Sequence, residues 1–116
     1  MKLSSDLRQV SISFLGTIIM FKIVIEEDHQ LLTLSGRISI ENTQQLKSLF
    51  ADLDGSRDLI VDAKALEYID SSGVACLLIG YKKLSAGGHK LVLREPSEAL
   101  TTVLKILKFD GLFDVI

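Results

Sequence analysis

Hydrophobic and polar positions follow two different periods along this chain. From Phe21, the stretch FKIVIEED places apolar side chains at every second position, which is typical of a half-buried strand. A second short apolar stretch, LLTLSG, follows the polar turn EEDHQ and ends at Gly36. Together the two stretches predict a β-hairpin.

Three later stretches space their apolar residues at i, i+3, i+4 and i+7, the pattern of amphipathic helices. For the first helix we expect Ser39 or Asn42 as the N-cap, because short polar side chains accept the unpaired N–H groups of a helix start. The apolar positions of the three predicted helix faces are Leu46, Leu49, Phe50 and Leu53, then Val74, Leu77, Leu78, Tyr81 and Leu84, and finally Leu100, Val103, Leu104 and Leu107.

Short apolar strands separate and follow these helices, namely DLIVDA, HKLVLRE and LFDVI. The nearly uniform apolar character of DLIVDA predicts burial on both faces. The resulting order is ββαβαβα with a final short β. It predicts one α/β domain with a mixed four- to five-stranded sheet, helices and right-handed crossovers.

Composition narrows the classes of function. The chain has 116 residues, which allows one core, and a formal net charge of −2 without a basic run, which argues against nucleic acid as a partner. The lone Cys76 lies in an apolar helix pattern and fits a reducing cytoplasm. No metal-ligand spacing, cofactor motif or bilayer-length apolar run is present, so we expect no metal, no cofactor and no membrane partner.

We expect residues 1–19 to form a separate N-terminal extension ahead of a domain spanning 20–116. The extension is a poor signal peptide, because Asp6 lies in its charged part and no small-x-small cleavage site follows. Two interpretations remain for it: an extra edge strand, or an upstream start, with Met20 the natural first residue.

The motif Asp70-Ser71-Ser72-Gly73 stands between DLIVDAKALEYI and the second helix, and its residue types leave two interpretations open. One acid or hydroxyl suffices to cap a helix, so the others are either solvated neighbours or part of a site. A serine-nucleophile enzyme is disfavoured, since His29 fits a hairpin turn and His89 the start of a strand. The glycine spacing of a nucleophile elbow is also missing.

The stretch YIDSSGVACLL resembles the signature of the STAS domain family, the anti-sigma factor antagonists. The resemblance extends from Met20 to Ile116 and includes LLTLSGRISIENTQQLKSLF, LIVDAKALEYID and LKILKFDGLFDVI. The sequence differs from the family pattern at Ala75, where the family has glycine, and at Ser39, where it often has aspartate.

The resemblance implies a non-enzymatic regulator of transcription that binds an anti-sigma factor serine kinase while unphosphorylated and is released on phosphorylation. It assigns the phosphoacceptor to Ser71, with Ser72 the weaker candidate, and a serine phosphatase as a further partner. Partner contacts are expected from Ser39 and from the run Asp70, Ser71, Ser72, Gly73 and Val74. We expect a cytoplasmic monomer or weak dimer.

The same resemblance also permits a second function. STAS domains serve as regulatory or scaffolding subunits in stress-signalling and lipid-transport complexes, where the partner needs no phosphotransfer.

Overall fold

The structure is a computed structural model that describes residues 9–14, 19–25 and 28–116. In chain order its elements are β1 (Gln9–Phe14), β2 (Ile19–Ile25), β3 (His29–Ile38), α1 (Gln44–Ala51), β4 (Asp58–Ile69), α2 (Ser71–Ala86), β5 (Leu91–Arg94), α3 (Glu98–Ile106) and β6 (Asp114–Val115). From β2 onward this is the order that the sequence predicts, and the α/β class is confirmed.

All six strands join one mixed sheet in which the spatial order follows the chain order. β1, β2 and β3 pair antiparallel, whereas β3, β4, β5 and β6 pair parallel. Each parallel connection moves the chain one position in the same direction. Right-handed crossovers therefore place α1, α2 and α3 on the same face of the sheet.

Burial along the strands agrees with helices on a single face. Leu32, Val61 and Leu93 are paired in register and fully buried, while Ile60 and Val92 on the other face are only partly buried. The prediction that DLIVDA is buried on both faces is therefore wrong. The face of the sheet that carries Ile60 and Val92 is not covered by a helix among the described residues, because all three crossovers pass over the opposite face.

The predicted apolar helix faces are confirmed, since each of their residues lies in the core or packs against it. The core members are Leu46, Phe50, Leu53, Val74, Leu77, Leu84, Leu100 and Leu104, and the partly buried ones are Leu49, Leu78, Tyr81, Val103 and Leu107.

The start of α1 differs from the prediction. Thr43 precedes the helix and makes no side-chain capping hydrogen bond. Asn42 instead closes the preceding turn, where its Oδ1 accepts the N–H of Ser39 at 2.9 Å and its Nδ2 donates to the C=O of Arg37 at 2.8 Å. Thr43 therefore occupies the N-cap position, and Asn42 holds the turn before it.

The N-terminal segment contributes an edge strand, β1, which pairs with β2 from Gln9↔Val24 to Phe14↔Ile19. The sheet therefore has one strand more than the largest number expected. Residues 1–8 and 15–18 lie outside the described residues, and the boundary between an extension over 1–19 and a domain over 20–116 stays a prediction.

Gly80 of α2 lies against the ring of Phe50 in α1. A Cβ atom at position 80 would meet Phe50 Cδ1 at 2.5 Å, and the ring is fully buried. We expect Gly80→Ala to lower the free energy of unfolding by about 1–3 kcal/mol through overpacking, measured by urea denaturation. Gly111→Ala is the control, because a Cβ there meets no atom of the described residues within 4 Å. Unchanged stability of Gly80→Ala would contradict this close helix contact.

Candidate functional site

The motif at residues 70–73 forms the turn between β4 and α2. Strands β3 and β4 end side by side, with Ile38 paired to Ile69, and the N–H of Asp70 donates to the C=O of Ile38 at 3.2 Å. The turn lies at the carboxyl end of parallel strands, where open α/β sheets usually place their binding sites.

The Asp70 carboxylate organises this turn. Its Oδ1 accepts the N–H groups of Ser72 at 3.0 Å and Gly73 at 3.2 Å, which makes Asp70 the N-cap of α2. The same oxygen accepts the Ser72 hydroxyl at 2.5 Å. Oδ2 accepts the N–H of Ile40 at 3.0 Å. Asp70 thereby joins the helix start to the loop between β3 and α1.

These hydrogen bonds favour the ionised form of Asp70. Partial burial by itself raises the carboxyl pKa, but the Ser72 hydroxyl and the backbone N–H groups of Ile40, Gly73 and Ser72 outweigh it and hold the pKa below its ordinary value of 3.8. The resulting stabilisation is present above the unfolded-state pKa and is lost as the pH falls through the lower folded-state pKa.

The two neighbouring serines have different environments. The Ser72 side chain is half-buried and donates to Asp70, so its hydroxyl already has an acceptor. Ser71 is exposed at the first position of α2, and within the described part of the chain its hydroxyl has no hydrogen-bond partner. Of the two, the Ser71 oxygen is the more accessible to an incoming group.

Gly73 and Val74 face the interior. A Cβ atom at position 73 would meet Ile69 Cγ1 at 2.6 Å and Ile38 Cγ2 at 2.9 Å, so the glycine lets the helix start approach the ends of β3 and β4. Val74 is only 1% exposed. Both residues are therefore buried at the start of α2, and their contact with a partner stays a prediction.

The loop after β3 brings further residues to this end of the molecule. Ser39 is half-buried, whereas the side chain of the following residue, Ile40, is 74% exposed. Tyr68 is 39% exposed, and the Arg37 guanidinium lies over its ring, 4.5 Å from the centroid. We call Ser39, Ile40, Tyr68 and Ser71 the Ser71 surface.

Sequence reasoning missed Ile40 and Tyr68 as part of the site. One available signal was an isoleucine within the otherwise polar stretch SIEN, where a large apolar side chain has no helix or strand neighbour to pack against. The hydrogen bond from the Ile40 N–H to Asp70, which connects this loop to the motif, has no local sequence signal.

Both histidines lie at the other end of β4. His29 is paired in register with Asp58, the first residue of that strand, and the His89 ring lies 3.0 Å from Asp58 Oδ1. Ser71 lies two residues beyond Ile69, the last residue of the same 12-residue strand, roughly 40 Å away at about 3.3 Å per residue. A serine–histidine pair for nucleophilic catalysis is therefore not formed at Ser71.

Other chemistry receives little support from the described part of the chain. It contains no group of three or more His, Cys, Asp or Glu residues that could hold a metal ion. No helix in residues 28–116 combines the length and apolar character needed to cross a membrane. Cys76 is 2% exposed inside α2, and burial raises the pKa of its thiol.

The chain matches the family model described as "Mlab, STAS domain" over residues 21–114. The match includes every described element from β3 to α3 and the whole Asp70 turn. The chain therefore belongs to the STAS domain family.

Solved structures share the fold. A STAS domain protein from Planctomyces limnophilus superposes with a TM-score of 0.69 at 17% identity, covering 82% of this chain and 87% of that one. The anti-sigma factor antagonist SpoIIAA in its unphosphorylated form gives 0.68 at 17% identity, covering 83% and 87%. A putative anti-sigma factor antagonist from Thermotoga maritima gives 0.67 at 22% identity, covering 82% and 84%.

Asp70→Ala removes both the helix cap and the link to Ile40. At neutral pH we expect a loss of about 1–2 kcal/mol in the free energy of unfolding, measured by urea denaturation. The difference from wild type should shrink as the pH falls below 3.8, because the stabilising interaction requires the ionised carboxylate. Asp110→Asn, an exposed change outside the turn, should show neither effect. A difference that stays constant through the acid range would contradict the proposed role of the charge.

Proposed function

We propose that this protein is an anti-sigma factor antagonist that binds an anti-sigma serine kinase while unphosphorylated and is released when Ser71 is phosphorylated. A serine phosphatase restores the binding form. The observation that carries the proposal is the exposed Ser71 hydroxyl, which has no hydrogen-bond partner among the described residues, beside a Ser72 hydroxyl that donates to Asp70. Family membership and the unphosphorylated SpoIIAA neighbour add support. The protein would act in the cytoplasm as a monomer or weak dimer.

The phosphorylation step needs only an accessible hydroxyl on this chain. The kinase transfers the γ-phosphoryl group of ATP to Ser71 Oγ, the hydroxyl proton is lost, and ADP leaves. The kinase supplies the metal and the catalytic groups. This chain presents the oxygen on a turn that Asp70 holds in place through bonds to Ser72, Gly73 and Ile40.

The phosphoryl group remains directed outward. A phosphoserine carries a charge of about −1.5 to −2, and a helix N-terminus favours an anion. Here, however, Asp70 already accepts the N–H groups of Ser72 and Gly73 and is itself ionised. Its charge repels the phosphate from the cap position, so the added charge stays exposed to solvent and leaves the fold nearly unchanged.

Release follows from the cost to the partner. A docked surface must either desolvate the phosphate or bring its own acidic groups against it. A cost of about 3 kcal/mol lowers affinity more than a hundredfold. Ile40 and Tyr68 are the large exposed side chains of the Ser71 surface. Buried aromatic and aliphatic anchors commonly supply most of the energy of an interface, so these two would anchor the kinase.

Ser71→Ala should abolish phosphorylation and leave the kinase bound in the presence of ATP. Ser71→Asp, with one negative charge, should weaken binding about tenfold, while the melting temperature changes little. Mass spectrometry after incubation with the cognate kinase and ATP locates the phosphate, and calorimetry gives the affinity. The matched control is Ser72→Ala, which should still be phosphorylated at Ser71. Phosphate on Ser72 in the wild-type protein would overturn the assignment.

Ile40→Asp should weaken kinase binding at least tenfold, because it places a charge where an apolar anchor is buried on docking. Ile106→Asp is the matched control, since Ile106 is 72% exposed, close to the 74% of Ile40, but lies on α3 outside the Ser71 surface. Both variants should unfold at the wild-type temperature. An equal loss of affinity in the two would exclude the Ser71 surface as the specific interface.

A second candidate is a regulatory or scaffolding subunit of a stress-signalling or lipid-transport complex that binds without phosphotransfer. The matched family model carries the name Mlab rather than that of an anti-sigma factor antagonist, and this name favours retaining the second candidate function. Pull-down from the native cell separates the two: a sigma-regulating kinase supports the first function, and a transporter subunit supports the second.

A further inference from the structure

Half of β4 has a strand neighbour on one side only. β5 pairs with β4 from Leu59 to Asp62, and the N–H of Ser97 then donates to the C=O of Ala63 at 3.2 Å. Beyond this point β4 continues to Ile69, with β3 along its other edge. From residue 64 to 69, the edge that faces away from β3 has no strand partner in the described chain.

A groove of about 550 Å³ lies between this edge and α3. Its apolar lining includes Leu66 and Ile69 from β4, with Ala99 and Val103 from α3. Two acidic residues, Glu67 and Glu98, also line the groove, and none of its described lining residues is basic.

Both glutamates are available to a ligand. Glu67 and Glu98 are exposed, and within the described residues neither belongs to an ion pair. Two unpaired acids beside apolar side chains favour an occupant that carries both basic and apolar groups.

We propose that this groove binds an extended basic segment of a partner protein, which adds to the free edge of β4 as a further strand. An unpaired strand edge offers backbone donors and acceptors to such a segment. Because successive side chains of a strand point to opposite sides, one set of residues contacts the apolar lining while the alternate set lies near the acids. The segment approaches between β4 and α3.

The length of the groove sets the length of the segment. From residue 64 to 69, β4 spans about 17 Å at roughly 3.3 Å per residue, which accommodates five or six residues of an added strand. A second copy of this chain is the poorer occupant, because neither edge strand, β1 (QVSISF) or β6 (DV), contains a basic residue.

The inference does not depend on phosphorylation of Ser71, and the unphosphorylated full chain tests it. The probe is a six-residue peptide that alternates valine and lysine, titrated against the ¹⁵N-labelled protein. We expect amide shift changes concentrated at residues 64–69 and at the start of α3. A peptide alternating valine and glutamate should not bind, and one with proline at a central valine should bind weakly, since proline removes a backbone donor.

The charge requirement is tested with two double variants that change net charge equally. Glu67→Gln with Glu98→Gln should weaken peptide binding about fivefold, whereas Asp52→Asn with Asp110→Asn, both exposed and outside the groove, should leave it unchanged. Equal weakening in the two pairs, unchanged affinity for the proline peptide, or shifts confined to another surface would each overturn the proposal. Self-association that rises with protein concentration and is abolished in the Glu67→Gln, Glu98→Gln double variant would also overturn the proposal, because the occupant would then be a second copy of this chain.

Discussion

The Asp70 carboxylate accepts three backbone N–H groups and one hydroxyl, and these four bonds join the start of the helix that carries Ser71 to the loop that carries Ile40. Two of the backbone groups start α2, and the third belongs to the loop that carries Ile40. The hydroxyl is that of Ser72, whereas the Ser71 hydroxyl has no partner in the described part of the chain. A single side chain thus caps a helix, positions a loop and distinguishes two adjacent hydroxyls.

The direction of the crossovers explains why the features of this domain are separated. The three connections between β3 and β6 advance in the same direction along the sheet, so the helices share one face. Residues at the two ends of a strand therefore lie on opposite sides of the domain. Ser71 lies at the carboxyl end of β4, and His29 and His89 lie at its amino end. The groove beside α3 exists because β4 has 12 residues and β5 only four.

Local patterns predicted much of this structure, because the buried face of a helix and the alternation along a strand are both determined by residues close together in the sequence. The apolar positions of all three helices and the location of the Asp70 turn follow from such patterns. The prediction of the residue that caps α1 is wrong, because the amide of Asn42 makes its hydrogen bonds within the turn that precedes the helix. DLIVDA was assigned burial on both faces because its composition does not report which face the helices cover. Ile40 and the groove depend on contacts between distant parts of the chain, which periodicity does not encode.

Gly73 links the packing of the interior to the exposed serine. The backbone at this position approaches Ile38 and Ile69 so closely that even one methyl group would force a displacement. Ser71 is two residues away on the same turn, and its oxygen is therefore located by the fit between buried aliphatic side chains. Under the proposed function, a genetic screen for loss of the kinase switch should consequently recover substitutions deep in the hydrophobic interior that never touch the partner. Their phenotype would arise from a hydroxyl moved by a fraction of an ångström rather than from a lost contact.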